Sequence, residues 1–220
     1  MPVVSITIDT EFPDQPAKDP LAVADALLDV LAAREVNATF FVVGSWARAN
    51  PERVIAIRDA GHQIGNHSYS HCSLKRMTEA GIVEDLTACR TVLADLGVET
   101  QPWFRAPYGE TAHELIDADA AIKRAGYRHV HWDARGEDWR PELSAEQVAE
   151  KALTDVHRRW PRPAIILFHS WPDSAPRALE LMLDRLSSQG AEFVTVDRLN
   201  RWRAGIGRIR STASPLSPRK

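Results

Sequence analysis

Short apolar runs alternate along this chain with stretches whose apolar positions recur every three or four residues. Val3–Ile8 is a β-branched run that ends on Asp9, Thr10 and Glu11, and Ala38–Val43 (ATFFVV) is a second run, stopped by Gly44. Between them, Pro20–Arg34 carries apolar residues at 21, 24, 27, 28 and 31, the spacing of an amphipathic helix. Pro51–Ala60 opens with a proline suited to a first helical turn and stops before Gly61. Gln63–Asn66 is a brief strand leading into His67.

The second half repeats the rhythm. Thr78–Leu96 is a long helix closed by Gly97, and Trp103–Phe104 a short strand ending at a turn with Pro107 and Gly109. A helix near Ala112–Ala125 stops at Gly126, and His129–Asp133 is strand-like. Ser144–Arg158 is helical, opened by the capping pattern Ser144-x-x-Gln147. Ala164–Phe168 (AIILF) is the most apolar strand, Ala175–Gln189 a helix, and Phe193–Val196 a last strand. About seven strands, most separated by helices, predict a parallel α/β fold. The number favours a barrel, with a doubly wound open sheet as the other arrangement the pattern allows.

Length changes this picture little: 220 residues at the usual ~150 per domain suggest one domain with decoration. The 27 basic residues against 30 acidic ones give a net charge of −3, which does not suggest a nucleic-acid partner. No apolar run approaches the ~18 residues of a membrane span. The amino terminus lacks the basic, apolar and small-residue sequence of a signal peptide, so the expected location is the cytoplasm unless the sequence is a processed form. Cys72 and Cys89 cannot build a disulfide framework and are expected to be small buried hydrophobes. From Arg203 to Lys220 there are five basic residues and no acid, which leaves 22 basic against 30 acidic in the body. The division expected is a catalytic domain over 1–202 and a solvated basic tail over 203–220, with anion or membrane-surface binding as a second role for the tail.

In parallel α/β barrels the reactive groups sit where strands give way to loops. The polar residues at those points are Asp9 and Glu11, His67 and His71, Arg105, Asp133 with Asp138 five residues on, and His169. His67 and His71 lie four apart, so one helical turn or a tight loop can aim both imidazoles at one point. With a carboxylate they would make a two-histidine site for Zn²⁺, or for Co²⁺, Mn²⁺, Fe²⁺ or Ni²⁺. Asp9 and Glu11, two apart, could divide the labour: one binds metal, the other takes a proton from water whose pKa the metal lowers from ~15.7 toward ~7. His169 can donate a proton to a departing amine or alkoxide, or serve as a structural histidine. Arg105 and Asp138 can pair with each other and orient their neighbours.

These residues fall into ordered motifs. Asn37–Gly44 (NATFFVVG) followed by Gly61–His71 (GHQIGNHSYSH) resembles the polysaccharide deacetylases, the carbohydrate esterase family with the NodB-like homology domain. Arg105–Gly109 (RAPYG), Asp138-Trp139 and Leu167-Phe168-His169 are similar to its later motifs, in order, over nearly the whole body. The family includes chitin, chitooligosaccharide, peptidoglycan and acetylxylan deacetylases. The resemblance implies a distorted barrel with a single divalent metal, Asp9 as general base, His67 and His71 as ligands and His169 as general acid. It also implies that Arg105 holds the base, Asp138 tunes His169, and the Tyr108 backbone N–H stabilises the oxyanion. Trp139 and Leu167 would wall the acetyl methyl. The first motif departs from the family, whose two adjacent aspartates supply base and ligand; here Thr10 follows Asp9, and the third ligand is assigned to Glu11.

The function expected is metal-dependent removal of N-acetyl groups from a GlcNAc-type oligosaccharide, polysaccharide or precursor. An O-acetyl esterase or an amidase or imidase on a small non-glycan substrate would use the same groups. A sugar-binding module without turnover is the alternative of another class.

Overall fold

A computed structural model describes residues 2–13 and 18–203. Its strands are β1 (Val3–Thr10), β2 (Thr39–Val42), β3 (Gln63–Asn66), β4 (Trp103–Phe104), β5 (Arg128–His129), β6 (Ala134–Arg135), β7 (Ala164–His169) and β8 (Glu192–Phe193). The helices are α1 (Pro20–Ala33), α2 (Gly44–Ala49), α3 (Pro51–Asp59), α4 (Glu79–Asp95), α5 (Asp119–Arg124), α6 (Ala145–Arg159), α7 (Ala175–Ser188) and α8 (Val196–Arg203). All pairings are parallel, in the order β5-β4-β3-β2-β1-β7-β6, with β8 paired to the start of β1. The architecture is the distorted (β/α) barrel expected.

Period-two alternation on β1 explains which side chains reach the barrel centre. Val4, Ile6 and Ile8 are fully buried in the large core that β1 shares with α1, α6 and α7. Thr7 and Asp9 point the other way, where the Arg105 guanidinium meets both. On β7, Ala164, Ile166 and Phe168 join the outer core, and Ile165 the inner cluster with Phe41, Trp103 and Val130. Hence Leu167 and His169 also face inward.

Among the described residues no ladder joins β5 to β6; the chain itself crosses that seam. The Val130 amide still donates to the Phe104 carbonyl, and three residues on the Asp133 amide donates to the Ile165 carbonyl. This crossing is why 129–133 is not the one strand expected: His129 ends β5 and Ala134 begins β6.

Other differences have equally local causes. The helix expected over 112–125 is regular only in α5, because Thr111 and Glu114 close a turn on each other and Ile116 points to solvent. β2 ends before Gly44 as expected, and Gly44 also begins α2, where a Cβ would lie 2.7 Å from the Tyr69 ring and 2.9 Å from the Cys89 Cα. The last strand is Glu192–Phe193, and Val196, placed in it from sequence, starts α8 and joins Leu199 in closing the inner cluster. Ser144 and Gln147 form the full capping box of α6.

Cys89 is buried as expected, its thiol pushed up to about 12 by burial, but Cys72 is exposed. Arg203, the first residue of the expected tail, belongs to α8 and bonds Asp133 at 2.6 Å; residues 204–220 lie outside those described. No helix among the described residues is long and apolar enough to cross a membrane.

Candidate active site

Parallel strands place their carboxyl ends on one rim, and there a cavity of about 290 Å³ opens. Asp9, Glu11, His67, His71, Tyr108, Trp139, Leu167 and His169 all line it, so eight of the ten residues predicted from sequence meet at one place. The other two, Arg105 and Asp138, stand directly behind Asp9 and His169.

The two histidines are held by a tight loop, not a helix. After β3, Ser68 and His71 adopt positive φ (65° and 55°), and the Ser68 hydroxyl accepts the His71 amide. Both carboxylate oxygens of Asp85, from α4, accept the amides of Tyr69 and Ser70. His67 Nδ1 bonds the Arg105 carbonyl at 2.8 Å, which as N–H donor turns Nε2 toward the cavity. That Nε2 lies 3.5 Å from Glu11 Oε2, and His71 Nε2 lies 2.5 Å from the same oxygen. The three ligand atoms fall within 4.8 Å of one another. Burial would raise the Glu11 carboxyl, but hydrogen bonds from His67 and His71 hold it well below the usual carboxylate range. Burial likewise opposes protonation of His67, and the charges of Asp9 and Glu11 outweigh it.

Asp9 has one oxygen committed. Its Oδ1 accepts Arg105 Nη1 at 2.7 Å, and its Oδ2 lies 3.5 Å from His67 Nε2. Arg105 is fully buried, bonds Thr7 Oγ1 at 2.8 Å and lies over the Phe41 ring at 4.2 Å. The opposite-charge pairing of Arg105 with Asp138 does not occur; each serves a different partner. Asp138 accepts both His169 Nδ1 (2.8 Å) and the His169 amide (2.7 Å). Burial pulls the His169 imidazole down, but the charge and hydrogen bond of Asp138, with Glu11 and Asp9, raise it to about 9.

Trp139 stands edge-on to His169 with ring centres 5.3 Å apart. Tyr108 sits at φ 58° in a one-turn 3₁₀ segment, its ring 4.8 Å from that of His71. Sequence reasoning missed Trp132, Arg135 and Trp171 on the cavity wall, and Asp85 behind the histidine loop. For Trp171 a signal was present: it follows His169 by two, as Glu11 follows Asp9.

The model of the polysaccharide deacetylase family matches residues 2–130. Over 197 residues the chain is 29% identical to a peptidoglycan-N-acetylglucosamine deacetylase of Listeria monocytogenes, covering 90% of this chain and 39% of that protein. It is 30% identical over 206 residues to a chitooligosaccharide deacetylase of Bradyrhizobium, covering 86% of this chain and 88% of the relative. A family 4 carbohydrate esterase from Streptomyces lividans, solved with acetate, superposes with a TM-score of 0.72 at 27% identity, covering 87% of this chain and 91% of the other. The chain thus spans about two fifths of the length of the Listeria relative.

Proposed function

The chain belongs to the polysaccharide deacetylase family, and on that footing we propose that it is a metal-dependent hydrolase releasing acetate from the amide nitrogen of a GlcNAc-type glycan or its precursor. One observation carries the reading: a nitrogen–nitrogen–oxygen donor set, a carboxylate pinned by Arg105 and an imidazole bonded to Asp138 meet at one cavity. Glu11, His67 and His71 fit a divalent cation, Zn²⁺ first, with Co²⁺, Mn²⁺, Fe²⁺ or Ni²⁺ as competent substitutes. Bound there, such an ion supplies Lewis acidity, making water acidic enough for a carboxylate to deprotonate and polarising an acyl oxygen.

The chain's own groups do the rest. Arg105 fixes Asp9 through Oδ1, leaving Oδ2 to take the proton of the attacking water. His169, held protonated by Asp138, delivers a proton to the departing amine. The backbone N–H of Tyr108 donates to the oxyanion, a contribution of ~3–4 kcal/mol for a well-placed donor. Trp139 and Leu167 offer the acetyl methyl an apolar wall.

The test is metal-reconstituted protein against N-acetylated oligosaccharides, acetyl esters and cyclic imides, scoring acetate or ring opening. Acetate from the N-acetylated glycans is expected. Turnover confined to esters or imides would move the substrate class, and a protein that binds zinc and N-acetylated oligosaccharide but turns over none of the three would be a sugar-binding module. Residual activity of His67→Ala at saturating metal would overturn the ligand assignment.

A further inference from the structure

The register that pairs Asp9 with His169 continues past the strand ends, because the Ser170 amide donates to the Asp9 carbonyl at 3.0 Å. Two residues beyond the pair, Trp171 therefore stands beside Glu11. Its indole Nε1–H donates to Glu11 Oε1 at 3.2 Å, and both side chains are buried, 5% and 4% exposed. The other Glu11 oxygen, Oε2, is the one that faces His67 and His71. The two oxygens of one carboxylate thus have separate tasks.

We propose that Trp171 is a positioning residue for the third ligand, holding Glu11 Oε1 so that Oε2 is presented to the metal. The proposal rests on the reading of Glu11, His67 and His71 as a metal site. Its physical need comes from the side chain at position 11. A glutamate has one more rotatable bond than the aspartate usual in this family, and an unheld carboxylate there can swing either oxygen, or neither, toward the imidazoles. Indole is a donor without an acceptor. It can occupy Oε1 without competing for a cation and without taking part in proton transfer. A lysine or arginine in its place would also neutralise the charge that attracts the metal; a neutral N–H orients the carboxylate and leaves its charge intact.

Trp171 also forms part of the cavity wall, its ring 6.0 Å from that of His169, so loss of activity alone would not separate positioning from packing. Metal affinity does. Trp171→Phe keeps an aromatic wall and removes the N–H. In metal-free protein titrated with Zn²⁺ against a chromophoric chelator, it should weaken binding by about 10–100-fold, the usual effect of removing a hydrogen bond behind a ligand. In a Glu11→Ala background the same change should have no further effect, since the group it positions is gone. Unchanged affinity in Trp171→Phe, or an equal additional loss without Glu11, would overturn the proposal. Should Trp171→Phe fail to fold, the indole N–H resonance of Trp171 in the wild-type protein decides: it shifts on Zn²⁺ addition if the proposal holds, and stays in place if it does not. Wild-type protein that binds no Zn²⁺ would instead remove the metal-site reading itself.

Discussion

Asp9 and His169 occupy the same rung of the parallel β1–β7 ladder. The proposed base and the proposed acid are thus set across from each other by backbone register, each at the end of a buried strand rather than on a loop. Sites carried on strands hold geometry more closely than sites on loops. Each group is then held by a buried partner of opposite charge, Arg105 for the carboxylate and Asp138 for the imidazole.

Asp9→Asn keeps the shape of the side chain and removes its basicity. Acetate release should fall by about 10²–10⁴-fold, while zinc still binds through Glu11, His67 and His71. Isothermal titration with Zn²⁺ beside an acetate assay checks both halves. Normal turnover by the variant would remove Asp9 from the mechanism.

The pH profile should report the Asp138–His169 pair. As the proposed acid His169 must be protonated, and its pKa is raised to about 9. Activity therefore persists through neutrality, and the charge of Asp138 places the alkaline limb of kcat/KM above the ~6.5 of a free imidazole. Asp138→Asn removes the charge that overcomes burial, so the alkaline limb should move to lower pH. Stability follows the same sign. A raised folded-state pKa contributes stability in full below the unfolded value of ~6.5, and that contribution is lost as pH climbs toward 9. Denaturant midpoints at several pH values should show this decline in the wild type and not in Asp138→Asn.

Arg105→Ala leaves the Asp9 carboxylate buried opposite an emptied space and should cost about 3–5 kcal/mol of unfolding free energy. Removing both charges with Asp9→Asn/Arg105→Met should restore much of that stability without restoring activity, since a buried ion pair is often matched by well-packed neutral side chains. Urea unfolding of the two variants distinguishes the cases. A double variant as unstable as Arg105→Ala would mean that the guanidinium acts through packing over Phe41 rather than through charge.

Long elements were legible in the sequence because periodicity and caps agreed. β1, β7, α1, α4, α6 and α7 lie within a residue or two of where spacing places them, and the α6 capping box was visible in Ser144 and Gln147. The two-residue strand Trp103–Phe104 was also legible, marked by the turn residues after it, but the limits of β5, β6 and β8 and the crossing at 130–133 were not, since ladders that short are set by neighbouring strands and leave no period of their own. The chemistry followed the same division. Residues directly at strand ends, such as Asp9, His67 and His169, could be picked out by position alone. Asp85, sixteen residues from Tyr69 on a helix face, and Trp171, whose role depends on register with Glu11, become visible only when the fold brings them into contact.

Asp85 anchors the histidine loop from α4 by holding two consecutive backbone amides. The imidazoles consequently inherit their placement from a helix packed in the core, and an ion would arrive at a receptacle already shaped for it. Stripping that ion should yield a compact protein ready for reloading, unlike the small zinc domains that collapse into open chain when their metal is withdrawn.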